Sequence, residues 1–440
     1  MELLEDAHKR ADSAEVYEVE SHSIPVQFES GELESLKEVE TKGAALRLIK
    51  DGKLGFSTTT NLDDSSEAVK RAAETAKLGD DAGFKFPGDR SIESLDTFDA
   101  EVAGLTSADL INYGRKAVQS IKEFDSEIEV NVDTSRSVNK VRISNSQGLE
   151  AEEKQSMVSL SVELKDVREN DIFSFHESEV ARNLEDFKPE EAVERATQKL
   201  KWAKNQAKIS SGSFPVVFTP KGTLVLLLPL LAGFNGKNVF QGTSPLNESL
   251  GEHLFSEKLS LTDHGSIEGS PARRSFDDEG LPVERTPLVK SGVIKNFLYD
   301  LQTAGLASVE PTGNGLKGGL ISGGDFRSPP SISPTSLLIG TGDKTFGKMI
   351  TEIDSGLVVD QVLGLGQGNP LSGEFSNNVS VAYRVEDGEI VGKVKNTMIA
   401  GNVYNLLESG VELGREVDWI GGSLRTPPIT VDGVNVVQKG

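Results

Sequence analysis

The sequence predicts an α+β protein, with an N-terminal antiparallel sheet carrying helices and a β-rich C-terminal domain. Three observations lead there. Runs in the first third alternate apolar and polar residues with period two and are broken by turn dipeptides. Helix-period segments are concentrated before about residue 210. Beyond that point the texture changes to short strands punctuated by glycine.

In chain order, Leu3 to Ala11 has helical spacing and Ala14 to Ser21 has strand spacing. A meander follows, with strands expected at Val26 to Glu29, Glu34 to Val39 and Gly43 to Ile49, and with Asp51-Gly52 as a hairpin signal before Lys53 to Thr59. Glu67 to Leu78 gathers Val69, Ala72, Ala73 and Ala76 on one helical face, and Ala108 to Phe124 gathers Leu110, Ile111, Ala117, Val118 and Ile121. Thr106 and Asp109 have capping-box spacing. Strands expected at Ile128 to Thr134, Val138 to Asn145, Gly148 to Lys154 and Met157 to Asp166 lead to a helix from Pro189 to about Lys208, proline suiting a first helical turn. The small polar run Ile209-Ser210-Ser211-Gly212-Ser213 separates the expected domains, 1–210 and 211–440. In the second, Val283 to Val289, Lys290-Ser291-Gly292 and Val293 to Tyr299 read as strand, turn and strand. The glycine clusters at 313–324 and 364–368 lack the strand-then-helix context of a nucleotide-binding loop and read as turns and bulges.

Composition excludes several functions. A net charge of -23 without a basic block disfavours contact with polyphosphate, so no nucleic-acid partner is expected. Zero cysteines remove disulfides, thiolate metal ligands and a cysteine nucleophile. No basic segment followed by an apolar one opens the chain, so a cytoplasmic location is expected. The most apolar run, Gly222 to Phe234, is too short for a bilayer and contains Pro229; it reads as a buried helix or strand-helix junction, and no membrane partner is expected.

Of the histidines, His8, His22, His176, His253 and His264, no two have the short helical spacing that lets one face hold a metal. His253 and His264, beside Glu252 and Asp263, come nearest to a cluster and read as solvated loop residues. No nucleophile-elbow Gly-x-Ser-x-Gly occurs. Phe276-Asp277-Asp278-Glu279-Gly280 offers paired carboxylates, but it reads rather as a solvated β-turn opening the next hairpin, and that structural reading suffices.

The stretch from Arg273 to Leu306, RRSFDDEGLPVERTPLVKSGVIKNFLYDLQTAGL, resembles the most characteristic block of the TldD/PmbA family, also called modulators of DNA gyrase. Pro311-Thr312-Gly313-Asn314 is similar to the sequence that follows in the PmbA-type (TldE) branch, and Gly373 to Gly401 resembles the closing block. The Glu29 to Glu34 strand turn and Gly43 extend the similarity to the N-terminal meander. In the TldD branch the resemblance implies metal-dependent peptide hydrolysis by a His-Glu-x-x-x-His helix with a C-terminal cysteine. Laid on that helix, Leu228 and Pro229 occupy the His-Glu positions and Gly233 the second histidine, while Gly421 to Arg425 lies where the cysteine is expected. The resemblance therefore implies a noncatalytic, TldE-like subunit without catalytic or metal-ligating residues or a cofactor. Its implied partners are a TldD-type zinc protease subunit, or a second copy, and unfolded peptides. Asp277, Asp278, Glu279, Asn377 and Asn378 are the candidates for channel or partner surface. The alternatives are a stand-alone regulatory or binding protein and a metal-independent hydrolase using Asp277, Asp278 or Glu279.

Overall fold

The computed structural model describes residues 2–64, 66–168, 171–320, 325–366 and 369–438, and it is a mixed α+β structure. The N-terminal part runs α1 (Glu2–His8), β1 (Ser13–Glu29), β2 (Glu32–Leu36), β3 (Val39–Lys50), β4 (Lys53–Thr59), α2 (Ser66–Ala76), α3 (Ala100–Gly104), α4 (Ser107–Phe124), β5 (Glu129–Asn145), β6 (Glu150–Arg168), β7 (Asp171–Ala181) and α5 (Pro189–Trp202). Its strands form one antiparallel sheet in the order β4-β3-β1-β5-β6-β7, with β2 also on β1. Asp51 and Gly52 turn the β3–β4 hairpin with φ of 53° and 73°, the left-handed values that a two-residue hairpin loop requires.

Several expected strand pairs fuse. Ala14 to Ser21 and Val26 to Glu29 are one strand despite Pro25. The Pro25 carbonyl accepts Lys37 N at 3.1 Å, so its nitrogen faces the same edge, in the gap between the β3 and β2 ladders, and no ladder bond is lost. The four strands expected between Ile128 and Asp166 are likewise two, β5 and β6. The helix expected to reach Lys208 stops at Trp202 because Gln206 and Ala207 leave to pair with another strand. The Thr106–Asp109 capping box and Pro189 in the first turn of α5 are both present.

Period-two alternation divides this sheet between two environments. Even-numbered β1 residues such as Val26 and Phe28 face α4 and α5 in one core, and Ala14 and Val16 face α2 in another. Odd-numbered Tyr17, with Ala45 of β3 and Ile143 of β5, packs instead against Phe276 and Phe326 from the C-terminal half.

That half continues with β8 (Gln206–Ala207), β9 (Gly212–Phe218), α6 (Leu224–Phe234), α7 (Gly236–Phe240), β10 (Leu261–His264), β11 (Arg285–Lys290), β12 (Val293–Ile294), α8 (Leu301–Ala307), β13 (Gly315–Leu316), β14 (Ser331–Ile332) and β15 (Leu337–Ile339). It ends with α9 (Phe346–Thr351), β16 (Ser355–Val362), β17 (Glu374–Glu386), β18 (Glu389–Val394), β19 (Thr397–Asn402), α10 (Val403–Glu408), β20 (Glu412–Leu413), β21 (Asp418–Ile420), β22 (Leu424–Thr426) and β23 (Ile429–Gln438). Strands β16, β9, β23, β19 and β17 pair in succession and β17 returns to β16, closing a ring. A second sheet has the order β12-β11-β10-β15-β22-β21. Residues 321–324 and 367–368 of the two glycine clusters lie outside the described residues. Among the described residues no helix is long and apolar enough to cross a membrane.

The two halves share a core, since Phe28, Ile121 and Leu160 cluster with Val358, Tyr383 and Val385. We propose that the unit boundary lies at the exposed Ser210 and Ser211. Limited proteolysis is expected to cut there, and the fragments are expected to co-elute on gel filtration until denatured. Separation of the fragments under native conditions would show that the common core does not bind them.

Candidate functional site

Helix α6 places the three positions singled out by the resemblance inside the C-terminal core. Its sequence is apolar all round, so it is buried on most sides: Leu224 to Leu227, Pro229, Leu230, Gly233 and Phe234 are buried, and Leu228 is half-buried. A Cβ on Gly233 would lie 2.4 Å from Tyr404 Oη and 3.1 Å from Leu246, so only glycine fits under α10. Burial pushes the Tyr404 phenol up to about 12, and its hydroxyl has no hydrogen-bond partner among the described residues.

The Asp277-Asp278-Glu279 turn is present, closed by a Phe276–Pro282 bridge, but it is not solvated. All three side chains are buried, which corrects their reading as a solvated turn. The reason lies across the molecule. Glu15 and Arg47 stand opposite each other on β1 and β3, on the face that the C-terminal half covers. Arg47 bonds Glu15 Oε1 through Nε (2.9 Å) and Nη2 (2.7 Å), and Glu279 Oε1 through Nη1 (2.6 Å). The second Glu279 oxygen accepts Leu301 N at the start of α8. Asp277 accepts three backbone amides, from Glu279, Leu281 and Gly315, and Asp278 is paired with Arg274. A Cβ on Gly315 would meet Glu279 at 2.2 Å, so this glycine in the first cluster serves close packing. Burial first, then the neighbouring Glu279 charge, raises the Asp277 carboxyl. Asn377 is also buried, its amide donating to the Leu363 and Gly364 carbonyls, while Asn378 is exposed.

A second charge cluster opens to solvent. A cavity of about 570 Å³ lies between β7 and α5 on one side and the β9–α6 loop, β16 and β21 on the other. On its floor Lys199 Nζ bridges Glu177 (2.5 Å) and Asp360 (2.6 Å), and Thr219 Oγ1 donates to Asp360 at 2.7 Å. Arg195 reaches Glu177 at 3.3 Å and pairs with Glu179, and Lys221 lies 3.4 Å from Glu177. Burial alone would raise Glu177, yet Lys199, Lys221 and Arg195 overcome it and hold the carboxyl at about 2. Burial lowers Lys221 and His176.

Three segments of the chain match family models: residues 14–78 the PmbA/TldA metallopeptidase domain 1, residues 101–204 its central domain, and residues 211–438 its C-terminal domain. The chain belongs to the PmbA/TldD metallopeptidase family. It is 26% identical to an uncharacterized protein of Methanocaldococcus jannaschii, over 93% of this chain and 94% of that one. It is 24% identical to the metalloprotease PmbA of Escherichia coli O157:H7, over 94% and 90%. Among solved structures, TldE from Thermococcus kodakarensis superposes with a TM-score of 0.90 at 26% identity, covering 99% of each chain. A candidate modulator of a DNA gyrase from Thermotoga maritima superposes with a TM-score of 0.86 at 27% identity, covering 99% and 98%.

In this PmbA/TldD-family chain the histidines do not gather. His253 bridges to Val293 and His264 pairs with Arg285, at opposite ends of the β11–β12 hairpin. Among the described residues no three of His, Cys, Asp and Glu form a group that could hold a metal. Sequence reasoning passed over the cavity residues Glu177, Lys199, Asp360 and Asp418. Two signals were available. Lys199 interrupts the apolar stripe Ala192, Val193, Ala196, Leu200 of α5, and Asp360 interrupts the apolar run of β16.

Proposed function

We propose that this chain is the TldE-like, metal-site-deficient subunit of a TldD-type metalloprotease assembly acting on unstructured peptides. The observation that carries the reading is α6, the helix on which the resemblance lays the family's metal-binding positions: Leu228, Pro229 and Gly233 stand there, and Tyr404 fills the space beside Gly233. A zinc protease site needs imidazoles, a further ligand and a general base around an open coordination position. This helix offers apolar packing instead, and the chain has no cysteine to complete such a set. The overlap with TldE over the full length supports a retained assembly role. The carboxylate-hydrolase alternative loses support because backbone amides and arginines occupy Asp277, Asp278 and Glu279. Gel filtration with a TldD-type subunit is expected to give a one-to-one assembly burying on the order of 2,000 Å² or more, as obligate pairs do. Independent elution of the two chains at micromolar concentration would sink the reading.

A further inference from the structure

Both tryptophans of the chain, Trp202 and Trp419, line the charged cavity, with Phe346, Val362 and Leu365 completing an apolar wall above the ionic floor. The cavity is lined by four carboxylates, Glu177, Asp360, Glu416 and Asp418, and three cations, Arg195, Lys199 and Lys221; Glu179, outside the lining, takes part of Arg195, and Glu416 pairs with Arg415 at 3.3 Å. Glu177, Glu179 and Asp360 each touch a cation. The Asp418 backbone pairs with Thr426 in the β21–β22 ladder, but its carboxylate has no hydrogen bond or ion pair among the described residues. Arg195 acts on it electrostatically, but its Nε and Nη2 donors are committed to Glu177, Glu179 and the Ser178 carbonyl, and its Nη1 makes no bond to Asp418 and lies 3.9 Å from Glu191. Burial raises the Asp418 carboxyl, with Glu177 and Asp360 adding to it and Arg195 and Lys199 opposing it, as expected for an acid without a counter-charge in contact. The cluster is therefore one cation short, in a cavity walled by aromatic rings that suit an alkyl stem and attract a cation.

We propose that this cavity binds a basic side chain, the ammonium of lysine or the guanidinium of arginine, ion-paired with Asp418 and with its stem against the tryptophan wall. An anion would meet the uncompensated Asp418 charge, and an apolar ligand would leave it buried without a partner. The inference rests on the cavity alone and is independent of the subunit reading. The same chemistry could arrive as a free amino acid or within a peptide, which the probes separate.

Tryptophan emission of the full chain is followed during titration with N-acetyl-argininamide, its neutral isostere N-acetyl-citrullinamide, and a glycine-flanked peptide carrying one arginine. Saturable changes are expected with both arginine probes, and at least about tenfold weaker binding with citrulline. A tighter peptide identifies a peptide ligand; equal affinities identify the side chain alone as what is read. Asp418→Asn is expected to erase the preference for arginine over citrulline while leaving the far-ultraviolet circular dichroism unchanged. If that variant does not fold, Val362→Arg supplies a tethered guanidinium at the cavity wall and is expected to abolish binding of the arginine probes. The inference is overturned by the absence of saturation with every probe, by citrulline binding as tightly as arginine, or by an arginine preference that survives in the folded variant.

Discussion

Adding a TldD-type subunit to this chain is expected to produce chelator-sensitive hydrolysis of an unstructured substrate such as casein, faster than that subunit gives alone, while the isolated chain stays at the buffer blank. Enzymes accelerate hydrolysis by about a millionfold or more, and in a zinc protease that acceleration depends on metal-activated water. Nothing on α6 replaces it. Installing Leu228→His, Pro229→Glu and Gly233→His together is expected to restore no activity and to lower stability, because the Cβ at 233 would collide with Tyr404 Oη at 2.4 Å. The ligating cysteine and the groups that orient ligands would also still be missing. Fluorescent casein assays with and without chelator test this; robust chelator-insensitive hydrolysis by the isolated wild-type chain would refute it.

Replacing Arg47 by leucine is expected to destabilise the protein by about 3–5 kcal/mol, because Glu15 and Glu279 would be left buried without their shared counter-charge. The loss should depend on pH. Burial, the largest influence, raises the Glu15 carboxyl to about 7 even with Arg47 beside it, and without Arg47 it must rise further. A carboxyl raised in the folded state contributes its stability fully below the unfolded value and loses it as pH climbs through the folded value. The variant should therefore lie nearest the parent at about pH 5 and fall furthest behind above about pH 8. Adding Glu279→Gln should recover part of the loss. Denaturant unfolding at both pH values measures this, and a pH-independent deficit below about 1 kcal/mol would show that the ion pair holds little.

Local periodicity made the fold class, the helix faces and the capping box legible in the sequence, because each depends on neighbours within a few positions. Strand lengths were less legible: the pattern gave separate strands at Ala14 to Ser21 and Val26 to Glu29 where β1 is continuous, and Pro25 between them is tolerated only because of where two partner strands end. Strand β7 was missed because its residues, from Ser174 to Glu179, mix one aromatic with polar side chains whose buried partners come from α5 and the β9–α6 loop. The alternating charges Glu15 and Arg47 have the pattern of a solvated sheet face. That face is covered by a segment more than two hundred residues away, so the burial of Glu279 could not be read from either stretch alone.

The position of β23 bears on how the chain is made. It comes last among the strands, yet it lies between β9 and β19 in the closed ring. At translation speeds of about 5–20 residues per second, β9 leaves the ribosome about 10–40 seconds before its neighbour exists. Throughout that interval the antiparallel N-terminal sheet can already have formed, while β9 exposes an unpaired strand edge. The nascent C-terminal half is thus obliged to wait, and its yield in a cell should depend on holding factors that shield that edge until residues 429–438 arrive.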